Sequence, residues 1–147
     1  SRVESKYFKL WISGYRPLNQ QAAKKEVQRT FGYSGRFGAY NSGEFQFLED
    51  SVINLDGLVN NDAQKAYKKG QGVKYLRDNG IECIIDVDHY FGSYKSLIPP
   101  ESLYFAGAYN NPEFDDGSNT IIAIVKNTPL YYAALKYKEE MKSKEGK

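Results

Sequence analysis

The sequence predicts an α/β fold. The expected domain is single, with a mixed sheet built on a parallel βαβαβ core and closed by an antiparallel hairpin and a terminal helix. Three observations predict it. Between residues 36 and 88, short apolar runs alternate with longer amphipathic stretches, the rhythm of strand–helix–strand units. The run Ile81–Val87 is apolar enough to be buried on both faces, as a central strand of such a sheet is. Beyond it, Leu103–Tyr109 and Thr120–Lys126 enclose a loop full of Asn, Asp, Gly, Pro and Ser, which predicts a hairpin. Helices on one or both faces of this sheet make a two-layer or three-layer sandwich.

The elements follow in order. Residues 5–15 form an aromatic-rich segment, Tyr7-Phe8-Lys9-Leu10-Trp11-Ile12 within it, whose imperfect alternation fits a strand or a helix end. Pro17 opens a helix with Leu18, Ala22 and Val27 on its apolar stripe. Gln20, Gln21, Lys24, Lys25, Glu26 and Arg29 make its wet face, and Gly32 ends it. Arg36–Tyr40 is a short strand, Asn41-Ser42-Gly43 a sharp turn, and Glu44–Leu48 the start of a short helix. Ser51–Leu55 is the second strand. Asp62 is placed to cap a helix running to Asn79, with Gly70 and Gly72 breaking or kinking it. Asn79-Gly80 closes that helix in the left-handed manner, and Ile81–Val87 is the third strand. After the hairpin, Pro129 opens a final helix whose stripe is Leu130, Ala134, Tyr137 and Met141.

Bulk properties narrow the function classes. The chain has 147 residues, 41% of them hydrophobic and 26% charged, enough for one real core. Twenty basic and 18 acidic residues leave a net charge of +2 with no basic block, so there is no electrostatic case for nucleic acid. The lysines between Lys136 and Lys147 are diluted by Glu139, Glu140 and Glu145, which reads as a solvated helix face. Cys83 is the single cysteine and His89 the single histidine. Internal disulfides, Cys-rich zinc sites and two-histidine zinc sites are therefore excluded. No window approaches the roughly 20 apolar residues of a membrane span. The chain opens at Ser1, which reads as a domain, residues 1–147, cut from a longer protein. Thirteen tyrosines and 8 phenylalanines suit either an aromatic core or a binding surface with hydroxyls at its rim.

Two constellations carry candidate chemistry. The first lies around Val52–Asn60. An apolar strand there delivers Asn54, Asp56 and Asn60 to a sheet edge, where ligands sit in α/β proteins. With Asn41 and Gly43 from the preceding strand end, these are the candidate ligand-binding residues. The same residue types also serve as a turn and a helix cap. The second is Asp86-Val87-Asp88-His89. On a strand Asp86 and Asp88 would share a face and could hold Mg²⁺ or Mn²⁺; polar residues leaving a sheet for solvent look the same. Nucleophile-elbow and phosphate-cradling glycine motifs are missing.

One stretch resembles a known family. Gly38-Ala39-Tyr40-Asn41-Ser42-Gly43, then Val52-Ile53-Asn54-Leu55-Asp56-Gly57-Leu58-Val59-Asn60, then Tyr75-Leu76, Asn79-Gly80-Ile81 and Ile84-Ile85-Asp86 are similar to the C-terminal region of polytopic prokaryotic membrane proteins. Those proteins are related to glycosyltransferases that use lipid-linked sugars of the dolichyl-phosphate-mannose type. The resemblance covers roughly residues 20–90, and the nine-residue motif from Val52 is its specific part. Where the family continues with an apolar Gly-Tyr/Phe-Phe stretch, this chain has Glu44-Phe45-Gln46-Phe47-Leu48. The resemblance implies an extracytoplasmic domain attached to membrane helices of the same polypeptide. The catalytic carboxylate is expected near those helices and not in this chain. The domain would then cap the membrane site or help hold an acceptor or a lipid-linked sugar, without a cofactor of its own. A metal-dependent sugar-nucleotide enzyme using Asp86 and Asp88, and a plain protein-interaction module, are the alternatives.

Overall fold

A computed structural model describes residues 20–41, 51–110 and 119–145. The segment 5–15, the first turn of the helix expected from Pro17, Gly43, the helix expected at Glu44–Leu48 and the hairpin loop from 111 to 118 lie outside the described residues. The described elements are α1 (Gln20–Phe31), β1 (Arg36–Ala39), β2 (Val52–Asn54), α2 (Asn61–Lys68), α3 (Gly72–Asp78), β3 (Ile81–Val87) and α4 (Asp88–Ser93). A single 3₁₀ turn at Pro100–Ser102 precedes β4 (Leu103–Asn110), β5 (Asn119–Val125) and α5 (Pro129–Glu145).

The five strands form one sheet in the order β2-β1-β3-β5-β4. β1 pairs parallel with β2, Phe37 opposite Val52, and parallel with β3, Gly38 opposite Ile84. β3 then pairs antiparallel with β5, Asp86 opposite Ile121, and β5 antiparallel with β4. The mixed sheet expected from the sequence is thus present, with its parallel half and its hairpin half meeting at β3.

Alternating side chains feed two cores, one on each face. Cys83 and Ile85 of β3 join Phe37, Ile122 and Ile124 beneath Ala23 and Val27 of α1 and Leu130 and Ala134 of α5. Ile84 joins Leu55, Ile121 and Ala123 beneath Leu76 of α3 and Phe91 of α4. The sandwich is therefore three-layered. Burial in apolar surroundings pushes the Cys83 thiol well above its ordinary pKa, so the lone cysteine is a core residue.

Local sequence explains most boundaries. Pro129 occupies the first turn of α5, where its missing N–H costs nothing; Thr128 Oγ1 accepts from Tyr131 N (3.2 Å) and Glu82 Oε1 from Leu130 N (3.0 Å). The expected helix between residues 62 and 79 is two helices. Gly70 has φ +69°, a left-handed turn that stops α2, and a Cβ on Gly72 would stand 2.2 Å from the Leu97 carbonyl oxygen, so only glycine lets α3 start against that segment. Gly80 closes α3 at φ +66° as expected.

Three local expectations are corrected. The N-cap of α2 is Asn60 rather than Asp62: its side chain accepts from Ala63 N at 3.1 Å, and Asp62 lies in the first turn, where a carboxylate complements the helix dipole. Lys24 and Glu26 are buried instead of wet. Glu26 accepts from Arg29 and Thr30, and the Lys24 ammonium lies over the Phe37 ring at 5.7 Å. Finally, β3 ends at Val87, so Asp88 opens a helix and does not continue the strand alternation of Asp86. Six residues are too few for α4 to show a helical period in the sequence.

Candidate functional site

The carboxyl ends of the three parallel strands lie along one edge of the sheet. β1 is central among them, with β2 on one side and β3 on the other. The chain leaves β1 toward one neighbour and later reaches the other, so the edge between β1 and β3 is a topological switch point, a usual ligand site in open α/β sheets.

At that switch point the polar groups are consumed by the fold. Asp86 is 1% exposed. Its Oδ2 accepts from Asn41 N (2.8 Å) and its Oδ1 from Val87 N (2.7 Å), with a further main-chain bond from Tyr40. Asn41 in turn donates Nδ2–H to the Tyr90 hydroxyl at 3.0 Å. Burial outweighs these donors and pushes the Asp86 carboxyl up to about 6. Asp86 is therefore a strut that ties the end of β1 to β3. Asp88 is turned to other partners: Oδ1 accepts from His89 N (2.8 Å) and Oδ2 from Asn119 Nδ2 (3.4 Å). It borders a separate cavity of about 560 Å³ with Phe91, Lys95 and Phe105. Among the described residues, no group of three or more His, Cys, Asp or Glu could hold a metal ion.

The end of β2 is built differently. Asn54 Oδ1 accepts from Asp56 N (2.8 Å), and Asp56 Oδ1 accepts from Leu58 N (2.9 Å), two consecutive Asx turns. The Asp56 carbonyl accepts from both Val59 N (3.1 Å) and Asn60 N (2.8 Å). Asn60 spends its whole amide on the fold, since Nδ2 donates to the Asn54 carbonyl (2.8 Å) and to the Tyr75 hydroxyl (2.9 Å), while Oδ1 caps α2. Tyr67 adds a brace from α2, its hydroxyl donating to the Leu55 carbonyl at 2.6 Å. At the tip of this braced turn stand Leu58, 89% exposed, and Val59, 69% exposed.

Two open cavities flank the tip. One, about 360 Å³, is lined by Asp56, Leu58, Gln64, Tyr67, Lys68 and Tyr94, among others. The other, about 560 Å³, is lined by Asn54, Val59, Asn60, Asp62 and Tyr75. Behind the first, the Tyr40 and Tyr94 rings stack at 4.3 Å and 16°. The Tyr94 hydroxyl is pushed upward in pKa by burial and by the Asp56 carboxylate it faces.

The sequence-derived candidates thus fall in three places. Asn54, Asp56 and Asn60 come together in one turn, with Asp56 opening to one cavity and the two asparagines to the other. Asn41 sits at the switch point with Asp86, Asp88 lies beyond it, and Gly43 is outside the described residues. Residue-type reasoning did not single out Gln64, Tyr67, Lys68 and Tyr94. Three of them were legible as one face of a helix, since Gln64, Tyr67 and Lys68 follow i, i+3, i+4 spacing. Tyr94 follows a six-residue helix that the sequence hides. Compared with known protein families, curated proteins and solved structures, the chain matches none of them.

Proposed function

We propose that this chain is a non-catalytic accessory domain of a membrane glycosyltransferase-like protein, held on the extracytoplasmic side. It caps the membrane-embedded part of the same polypeptide or helps hold a lipid-linked sugar or its acceptor. The observation that carries the reading is the Asn54–Asn60 turn. It is the specific part of the family resemblance, its amides are spent on its own rigidity, and it holds two apolar side chains out in solvent. A rigid apolar tip at a sheet edge is the form of a contact surface and not of a reaction centre. The strand-end carboxylates support the same reading. Asp86 is buried and saturated by main-chain donors, and Asp88 is directed elsewhere. Among the described residues, no helix is long and apolar enough to cross a membrane; on this reading the membrane-spanning part lies outside them.

The decisive test is the coding sequence ahead of Ser1. Several hydrophobic spans of about 20 residues each are expected there. Their absence would remove the accessory-domain reading. Turnover of a sugar nucleotide by the isolated chain with Mn²⁺, lost in Asp88→Ala, would replace it with the metal-dependent alternative.

A further inference from the structure

We propose that the cavity beside the Asp56–Leu58 turn is a carbohydrate subsite that takes one pyranose ring; this deepens, and rests on, the reading of the chain as a sugar-handling accessory domain. The argument begins with what the cavity offers. Its volume of about 360 Å³ has room for a single sugar ring and its nearest waters. Its walls are mostly apolar: the side chains of Leu58 and Leu97 and the rings of Tyr67 and Tyr94. Into this wall are set one carboxylate (Asp56), one amide (Gln64), one ammonium (Lys68) and the Tyr94 phenol.

A pyranose is amphipathic in the same way. Its C–H face is apolar and lies against aromatic rings, while its hydroxyls both donate and accept. A carboxylate only accepts, an ammonium only donates, and an amide does both, so the set can satisfy adjacent hydroxyls from both directions. The alternatives fit worse. A phosphate would meet the Asp56 carboxylate as well as Lys68, and a purely apolar ligand would strip both charges of water without replacing it.

The cavity walls are fixed before any ligand arrives, which lowers the ordering cost of binding. Asp56 is held by the Leu58 N–H and faces the Tyr94 hydroxyl. Tyr94 is stacked on Tyr40. Tyr67 is tied to the Leu55 carbonyl, and Leu97 belongs to the segment that packs on Gly72 without room for a Cβ.

A second observation is independent of the cavity lining. The Tyr40 hydroxyl belongs to a residue only 2% exposed and has no hydrogen-bond partner among the described residues. An unpaired buried hydroxyl is costly. The Tyr40 ring stacks at 4.3 Å on Tyr94, one of the two rings that wall the cavity.

The test is a titration of the isotopically labelled chain with methyl glucoside, methyl mannoside, methyl galactoside and N-acetylglucosamine, followed by amide chemical shifts. At least one is expected to give saturable shifts at Gly57, Leu58 and the Gln64 side chain, with a Kd of about 1 mM, ordinary for so small a ligand. Gln64 and Lys68 make no side-chain hydrogen bond to another described residue, so Gln64→Ala and Lys68→Ala leave the melting temperature unchanged. Each is expected to weaken binding roughly threefold to tenfold, the loss of one hydrogen bond. Tyr94→Phe, which keeps the stacked ring, is expected to do the same. Lack of saturable shifts with every glycoside overturns the proposal, as does binding indifferent to these substitutions or saturable binding of inorganic phosphate in their place. The two readings fail separately. Membrane spans ahead of Ser1 leave the accessory domain standing if no sugar binds, and sugar binding without such spans upholds the subsite alone.

Discussion

The two strand ends at the carboxyl edge of the sheet use the same residue types to opposite effect. At the end of β3 the Asp86 carboxylate is sealed under Tyr40 and Asn41 and saturated by main-chain N–H groups. At the end of β2 the Asp56 carboxylate makes one Asx turn and keeps its other side toward Tyr94 and an open cavity. Position at the edge of an α/β sheet therefore does not make a site by itself. What distinguishes the two is the remaining acceptor capacity and its access to solvent. The switch point, where fold rules place the ligand, is here used to hold β1 against β3, and the carboxylate that borders an open cavity lies one strand outward.

The largest effect that sharpens this contrast is in the pH dependence of stability. Burial raises the Asp86 carboxyl from the ordinary 3.8 to about 6, so the folded state holds this proton more tightly than the unfolded chain. The resulting stabilisation is fully present below about pH 4 and is lost as pH rises through about 6, the reverse of a salt-bridged aspartate. Two pH units correspond to about 3 kcal/mol. Urea unfolding of the wild type and of Asp86→Asn, compared between pH 4 and 7, should show the wild type losing about that much more over the interval. Parallel pH profiles for the two proteins would mean that Asp86 is solvated and that the two strand ends are alike.

A smaller effect is expected on the β2 side. Asn60→Ala removes the cap on Ala63 N together with the bonds to the Asn54 carbonyl and the Tyr75 hydroxyl. A lost cap and a loosened turn should cost about 2 kcal/mol of unfolding free energy, measured by denaturant titration. Asp62→Ala should cost no more than a few tenths of that, since Asp62 contributes only to the helix dipole. Equal losses would return the cap to Asp62 and undo the braced turn.

Much of this architecture is written locally. Ile81–Val87 is a run that only a two-sided core can bury, Pro129 announces α5, and the polar loop before Asn119 announces a hairpin. Periodicity failed where elements are short or where tertiary partners override a side chain's usual preference. Lys24 and Glu26 look like solvent residues until Phe37, Arg29 and Thr30 are placed beside them. The candidate site was half legible for the same reason. Asn54, Asp56 and Asn60 stand close in sequence and announce a turn. The cavity that makes Asp56 interesting needs Tyr94, whose neighbourhood is set by stacking on Tyr40 across 54 positions of chain and by no local pattern.

The smallest expected change in stability tests the tip itself. Leu58 and Val59 are mostly exposed and have little buried area to lose, and their main-chain bonds do not depend on side-chain type. Leu58→Ser with Val59→Ser should therefore shift unfolding free energy by no more than about 0.5 kcal/mol, the range of ordinary surface substitutions. If the chain is an accessory domain of a longer protein and the tip is its contact surface, the same double substitution in that protein should depress its activity at least severalfold while the isolated domain melts as before. A domain that loses several kilocalories per mole would show that these side chains are covered by the chain's own residues. A full-length protein indifferent to the change would leave the tip as an exposed turn, and the contact would have to be sought at the neighbouring cavities, which the tip only borders.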